Sequence, residues 1–171
     1  MRNKLVYFSI LLYGIIIIQT TLLDYIRVYN VKPNLVLIFI ICIALIRGGL
    51  EGAFFGLTAG LLQDILTGNN IGPYALMGFL VGFSLGDFNK RFYKDNFFAC
   101  AIITFIVSLI YESVFFIPSF SFYNLELILA IFKSDILVET VYNVVMSVPI
   151  YILTLKINNT IDIKEKTVNK Y

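Results

Sequence analysis

Ten of the eleven glycines lie between Gly48 and Gly86, and most of them recur every fourth residue. Gly48, Gly52, Gly56 and Gly60 form one row, and Gly78, Gly82 and Gly86 form a second. Asp64, Gly68 and Gly72 continue the same spacing between the rows. Residues four apart share a helix face, so each row predicts a groove that another backbone can approach, as a helix-packing or partner interface. In water each such glycine would weaken a helix by about 1 kcal/mol relative to alanine. In a bilayer, small residues are what lets helices associate, so the rows point to a chain that folds in lipid.

Composition agrees: 59% of the residues are hydrophobic, 14% are charged and the mean hydropathy is +0.87. Such a chain is expected to be an integral membrane protein, and its formal net charge of +2 gives no nucleic-acid footprint. Apolar runs predict an all-α, polytopic bundle of six transmembrane helices over about residues 5–23, 33–46, 50–66, 74–87, 97–117 and 136–155. Read as one helix, residues 33–66 would measure about 50 Å, too long for an ordinary span, so a hairpin is predicted at Gly48 and Gly49. Thr67 to Pro73 reads as a turn. Leu125, Ile128, Leu129 and Phe132 predict a short interfacial helix over about 125–132, and Pro33 suits the opening turn of the second span. Residues 1–156 would form a single membrane domain, followed by a polar cytoplasmic tail at 157–171.

With six spans, ten lysines and arginines fall on the side of the termini and three on the other, which predicts that both termini are cytoplasmic. That topology places Gln19, Asn34, Asp64, Glu112, Glu139 and Asn143 in one outer polar layer. Carboxylates at membrane depth usually face a cavity, a partner or each other, so the layer suggests a pocket or a contact patch. A plainer reading stands beside it. Glu139 in the first turn of its helix is favoured by the helix dipole, and Gln19 and Asn143 suit interhelical hydrogen bonds worth about 0.6 kcal/mol each. Arg47 and Glu51, four apart at the hairpin, suit a local ion pair.

No enzyme constellation emerges. The chain has no histidine, Cys42 and Cys100 stand alone in apolar runs, and neither a zinc motif nor a phosphate-binding glycine loop is present. No catalytic residue, metal or cofactor is expected.

Gln19-Thr-Thr-Leu at the end of the first span, Pro33-Asn34-Leu35 opening the second, and Gly56-x3-Gly60-x3-Asp64-x3-Gly68-x3-Gly72 resemble the MreD family. The resemblance implies a non-enzymatic scaffold in the bacterial cytoplasmic membrane, within the rod-shape or elongation machinery. It implies MreC as the main partner, with MreB, the RodA glycosyltransferase and a class B penicillin-binding transpeptidase as members of the complex, surrounding membrane lipid, and self-association left open. Asn34 stands where many relatives carry Asp, and Glu112 and Glu139 match no family position. On this reading a groove near Asp64 would receive a helix of MreC. The family is also similar in fold to the substrate-binding subunits of energy-coupling-factor transporters, which implies an alternative: a vitamin or small-metabolite binder using Tyr111, Tyr142 and Asn143 in the outer layer.

Overall fold

The computed structural model describes residues 2–23, 25, 27, 31–68, 71–86, 97–116 and 135–168. Its helices are α1 (Arg2–Ile17, continued by a π turn at Ile18–Leu22), α2 (Leu35–Arg47), α3 (Gly49–Thr67), α4 (Pro73–Ser84), α5 (Phe97–Phe116) and α6 (Leu137–Val168). The described residues thus form an all-α bundle. α1, α5 and α6 are long and apolar enough to cross a membrane, whereas α2 and α4 are shorter apolar helices.

α2 is the axis of the bundle. Each residue from Leu35 to Ile46 is buried, and the helix touches each of the other five. A helix apolar on all sides suits a core or a lipid surround, and this one, Leu, Val, Ile, Phe, Cys and Ala from end to end before Arg47, is enclosed by its neighbours. Phe55 of α3 ties it outward, with its ring edge-on to both Phe8 of α1 and Phe39 of α2 at 5.9 Å. The faces turned away from α2 carry exposed Ile10, Tyr13, Leu61, Phe79, Ile106 and Val145, as a lipid-facing surface should.

The chain reverses between α2 and α3 at Gly48, whose φ of 98° is open to glycine and costly for other residues. Gly68 closes α3 in the left-handed conformation, and Gly72, at φ 124°, leads into Pro73 at the first position of α4. A Cβ at Gly48, Gly68 or Gly72 would meet nothing within 4 Å. These three are therefore turn residues, not members of the packing rows to which the four-residue spacing assigned them. The spacing persists through them, but the helix does not.

The remaining glycines of the two rows, together with Gly49, press α3 and α4 together. Gly52 faces Gly82, Gly56 faces Gly78, Gly60 meets the backbone of Tyr74 and Ala75, and Gly49 meets Gly86. A Cβ on Gly52 would lie 2.8 Å from the Gly82 carbonyl oxygen, and one on Gly56 would overlap the Gly78 carbonyl. The two rows are each other's partners, so the groove predicted for an incoming helix is filled by the chain itself.

α6 differs from expectation at its far end. The segment from residue 157 onward, read as a tail, stays helical to Val168. Asn158 and Ile161 on it are buried, Ile161 in the hydrophobic core and Asn158 against Arg47. Its guanidinium binds Glu51 through two 2.8 Å hydrogen bonds, donates to Asn158 Oδ1 at 3.2 Å and lies 3.6 Å from Asp162, which in turn is 3.9 Å from Lys4. One planar cation thereby joins α2, α3 and α6. The interfacial helix expected at 125–132 lies outside the described residues.

Candidate functional site

At the opposite end from Arg47, the bundle opens into a cavity of about 400 Å³. Its position follows from helix lengths. The 13 residues of α2 rise only about 20 Å against a hydrocarbon core of roughly 30 Å, so the space beyond its N-terminus is left to be lined by its neighbours. Gln19 and Thr20 come from the π turn of α1, Lys32 and Asn34 from the approach to α2, and Gln63 and Thr67 from the end of α3. Tyr74 opens α4, Tyr111, Glu112 and Phe115 sit near the end of α5, and Glu139 lies in the first turn of α6.

Several of these side chains also hold the cavity's floor. Asn34 caps α2 by accepting from the Leu37 amide at 3.1 Å, and Gln19 accepts from the Val36 amide at 3.0 Å, so two otherwise orphaned donors are satisfied. The wide turn at Ile18–Leu22 is what carries Gln19 to that amide. Such π turns often mark functional positions. The Thr20 hydroxyl bonds back to the Ile16 carbonyl within it. On the far wall the Tyr74 and Phe115 rings stack at 4.5 Å, and Tyr111 tilts against Phe115 at 4.9 Å. The carboxyl groups of Glu112 and Glu139 are hydrogen-bonded to each other across the α5–α6 seam.

The expected outer layer therefore divides. Gln19, Asn34, Glu112 and Glu139 line the cavity. Asp64 and Asn143 do not. Asp64 is buried, and its carboxylate accepts the backbone amides of Gly72, Tyr74 and Ala75 at 2.9 to 3.1 Å. It caps α4 from the preceding helix, a position where the helix dipole favours negative charge. Its carboxylate is committed to the α3–α4 turn, and that leaves it no part in receiving an external helix. Asn143 lies below the cavity, accepting from the Asn34 amide at 2.7 Å and donating to Ser108 Oγ at 3.1 Å. It joins α5, α6 and the start of α2.

The sequence matches the family described as rod shape-determining protein MreD over residues 1–157. The chain belongs to the MreD family. Its role is accordingly in rod-shape determination, as a multi-pass membrane protein. No curated protein and no solved structure was matched, so the likeness to energy-coupling-factor subunits has no support from them. Within this MreD fold, sequence reasoning missed the pairing of Glu112 with Glu139 and the role of the π turn. The Gln-Thr-Thr run was a usable signal for the latter, since hydroxyls that bond back to i−4 carbonyls disturb a regular helix. Among the described residues, no cluster of three His, Cys, Asp or Glu side chains is placed to hold a metal, and Cys42 and Cys100 are both buried free thiols.

Proposed function

We propose that the chain is a non-enzymatic scaffold of the elongation machinery in the bacterial cytoplasmic membrane, binding MreC and helping to organise peptidoglycan synthesis. MreB, RodA and a class B penicillin-binding transpeptidase are the further members of the assembly on this reading. Both termini and the Arg47 end face the cytoplasm, and the cavity faces outward, in keeping with the bias of ten positive residues against three. The observation that carries the proposal is the family match across the whole membrane domain. A bundle whose α3–α4 seam is packed backbone to backbone suits a part that positions others.

Because the glycine rows face each other, a partner helix has to use an exposed face. Photo-crosslinking residues placed at Tyr13 on α1 and at Phe79 and Phe83 on α4, all exposed, test this against buried Phe39. MreC is expected to crosslink from at least one exposed face and not from Phe39, and rod-shaped cells depleted of the protein are expected to round up. Absence of MreC adducts at all three exposed positions, together with rods that keep their shape, would overturn the scaffold reading.

A further inference from the structure

We infer that the cavity beyond the N-terminus of α2 is a binding site for a small neutral molecule, an apolar or aromatic body edged with amide or hydroxyl groups. This goes beyond the scaffold reading, and its failure would leave that reading untouched.

The space, about 400 Å³, lies within the range of small-molecule sites and follows from the shortness of α2. Its charged groups already answer one another. Glu112 and Glu139 are hydrogen-bonded to each other, and two carboxyl groups can make that bond only through a proton held between them. One negative charge remains on the pair, and Lys32 in the same lining offsets it. A cation or an anion entering such a space would bring a charge without a counterpart, whereas a neutral molecule leaves the balance as it is.

What the cavity leaves unpaired is neutral and polar. Asn34, Thr20 and Thr67 are bonded within the protein. Gln19 accepts the Val36 amide through Oε1, but its Nε2 donors have no partner among the described residues. The same is true there of the Gln63 side-chain amide and the Tyr74 hydroxyl. These three half-buried side chains come from α1, α3 and α4 and converge on one space. Together they offer both donors and acceptors, the complement of a neutral amide or hydroxyl group. Around them the lining is apolar at Ile16, Val36 and Leu66, and the stacked rings of Tyr74 and Phe115 give it an aromatic wall suited to a flat body.

Two other occupants fit less well. An acyl chain would fill the space but leave the two glutamines and the tyrosine without partners. A divalent cation needs an oxygen-rich shell, and among the described residues no third carboxylate, histidine or thiolate joins the glutamate pair.

The test uses the full-length protein in phosphatidylcholine nanodiscs, with benzamide as the neutral probe and benzamidine and benzoate as its charged counterparts. By ligand-detected NMR, with empty nanodiscs as the reference, benzamide is expected to bind at least about ten-fold more tightly than either ion. Gln63→Leu and Tyr74→Phe should each weaken it about five-fold, while Asp162→Asn at the other end of the bundle leaves it unchanged. Binding of either ion as tight as that of benzamide, or no benzamide signal above empty nanodiscs, would overturn the proposal.

A second measurement reads the charge balance without touching those side chains. A Thr67→Cys thiol in the cavity lining should react with aminoethyl and sulfonatoethyl methanethiosulfonates in the same ratio of rates as a Tyr25→Cys thiol, since Tyr25 is 90% exposed, and benzamide should slow only the former. Ratios that differ about ten-fold or more, in either direction, would mean a net charge in the cavity and count against a neutral ligand. Repeating the benzamide titration with a glucosyl diacylglycerol in the nanodisc separates the two sources of a neutral polar group. Competition assigns the site to a lipid headgroup. Unchanged affinity assigns it to a soluble molecule.

Discussion

The α3–α4 seam and the α5–α6 seam flank the same central helix and are made of opposite materials. In the first, side chains are missing: Gly52, Gly56 and Gly60 meet Gly82, Gly78 and the Tyr74–Ala75 backbone directly. In the second, small polar side chains fill the gap, with Ser108, Thr104, Thr140, Asn143 and Ser147 all fully buried. Both are recognised ways of holding helices in lipid, where burying apolar surface gives no advantage over the acyl chains. They differ in tolerance. A glycine contact is a steric fit with no slack, whereas a hydrogen bond between helices is a modest increment that the neighbouring groups can partly replace.

The first way to break this contrast is Gly56→Leu. The new side chain would have to occupy the position of the Gly78 backbone, so the seam must part, at a cost of about 3 kcal/mol or more. Thermal unfolding in detergent should show a large loss, while Gly14→Ala, where a Cβ meets nothing within 4 Å, serves as the neutral control. Comparable behaviour of the two variants would mean that the rows do not carry the fold. Leucine at Gly56 and Gly60 cannot serve as a test of partner binding for the same reason, since those substitutions would disrupt the chain's own packing.

Asp64→Ala comes next. Three backbone amides at the start of α4 would lose their acceptor, for an expected loss of about 2 kcal/mol, with Asp64→Asn recovering part of it. Hydrogen exchange at Gly72, Tyr74 and Ala75 is the sensitive readout, and unchanged protection would remove the capping role. The smallest effect belongs to the polar seam. Ser108→Ala deletes one acceptor of Asn143 and should cost about 0.6 kcal/mol, seen as a small shift in the unfolding midpoint. A loss as large as that of Gly56→Leu would erase the distinction between the seams.

The sequence displayed some of this plainly and hid the rest. Apolar runs and the glycine rows were enough for an all-helical membrane bundle, and Gly48 and Gly49 marked the reversal between α2 and α3. A four-residue repeat, however, states that a helix has a bare face and says nothing about what lies on it. Only the folded chain shows that the two bare faces meet. Asp64 had the same spacing as its glycine neighbours, yet its task is to bind amides up to eleven residues later. Residues 157–168 looked like part of a tail because of their polar composition, yet Asn158 is held by Arg47, more than a hundred residues away, and Ile161 packs into the core. The meeting of Glu112 with Glu139 likewise has no local signature, since it exists only once α5 and α6 are side by side.

The enclosure of α2 also orders the molecule's birth. This helix leaves the ribosome before α3, α4, α5 and α6, the helices that enclose most of it. Until those helices are made, much of its surface of leucines and isoleucines rests against lipid, on a segment of 13 residues that is short for the membrane. The protein is therefore finished from the inside outward, with its heart made early and sheltered late.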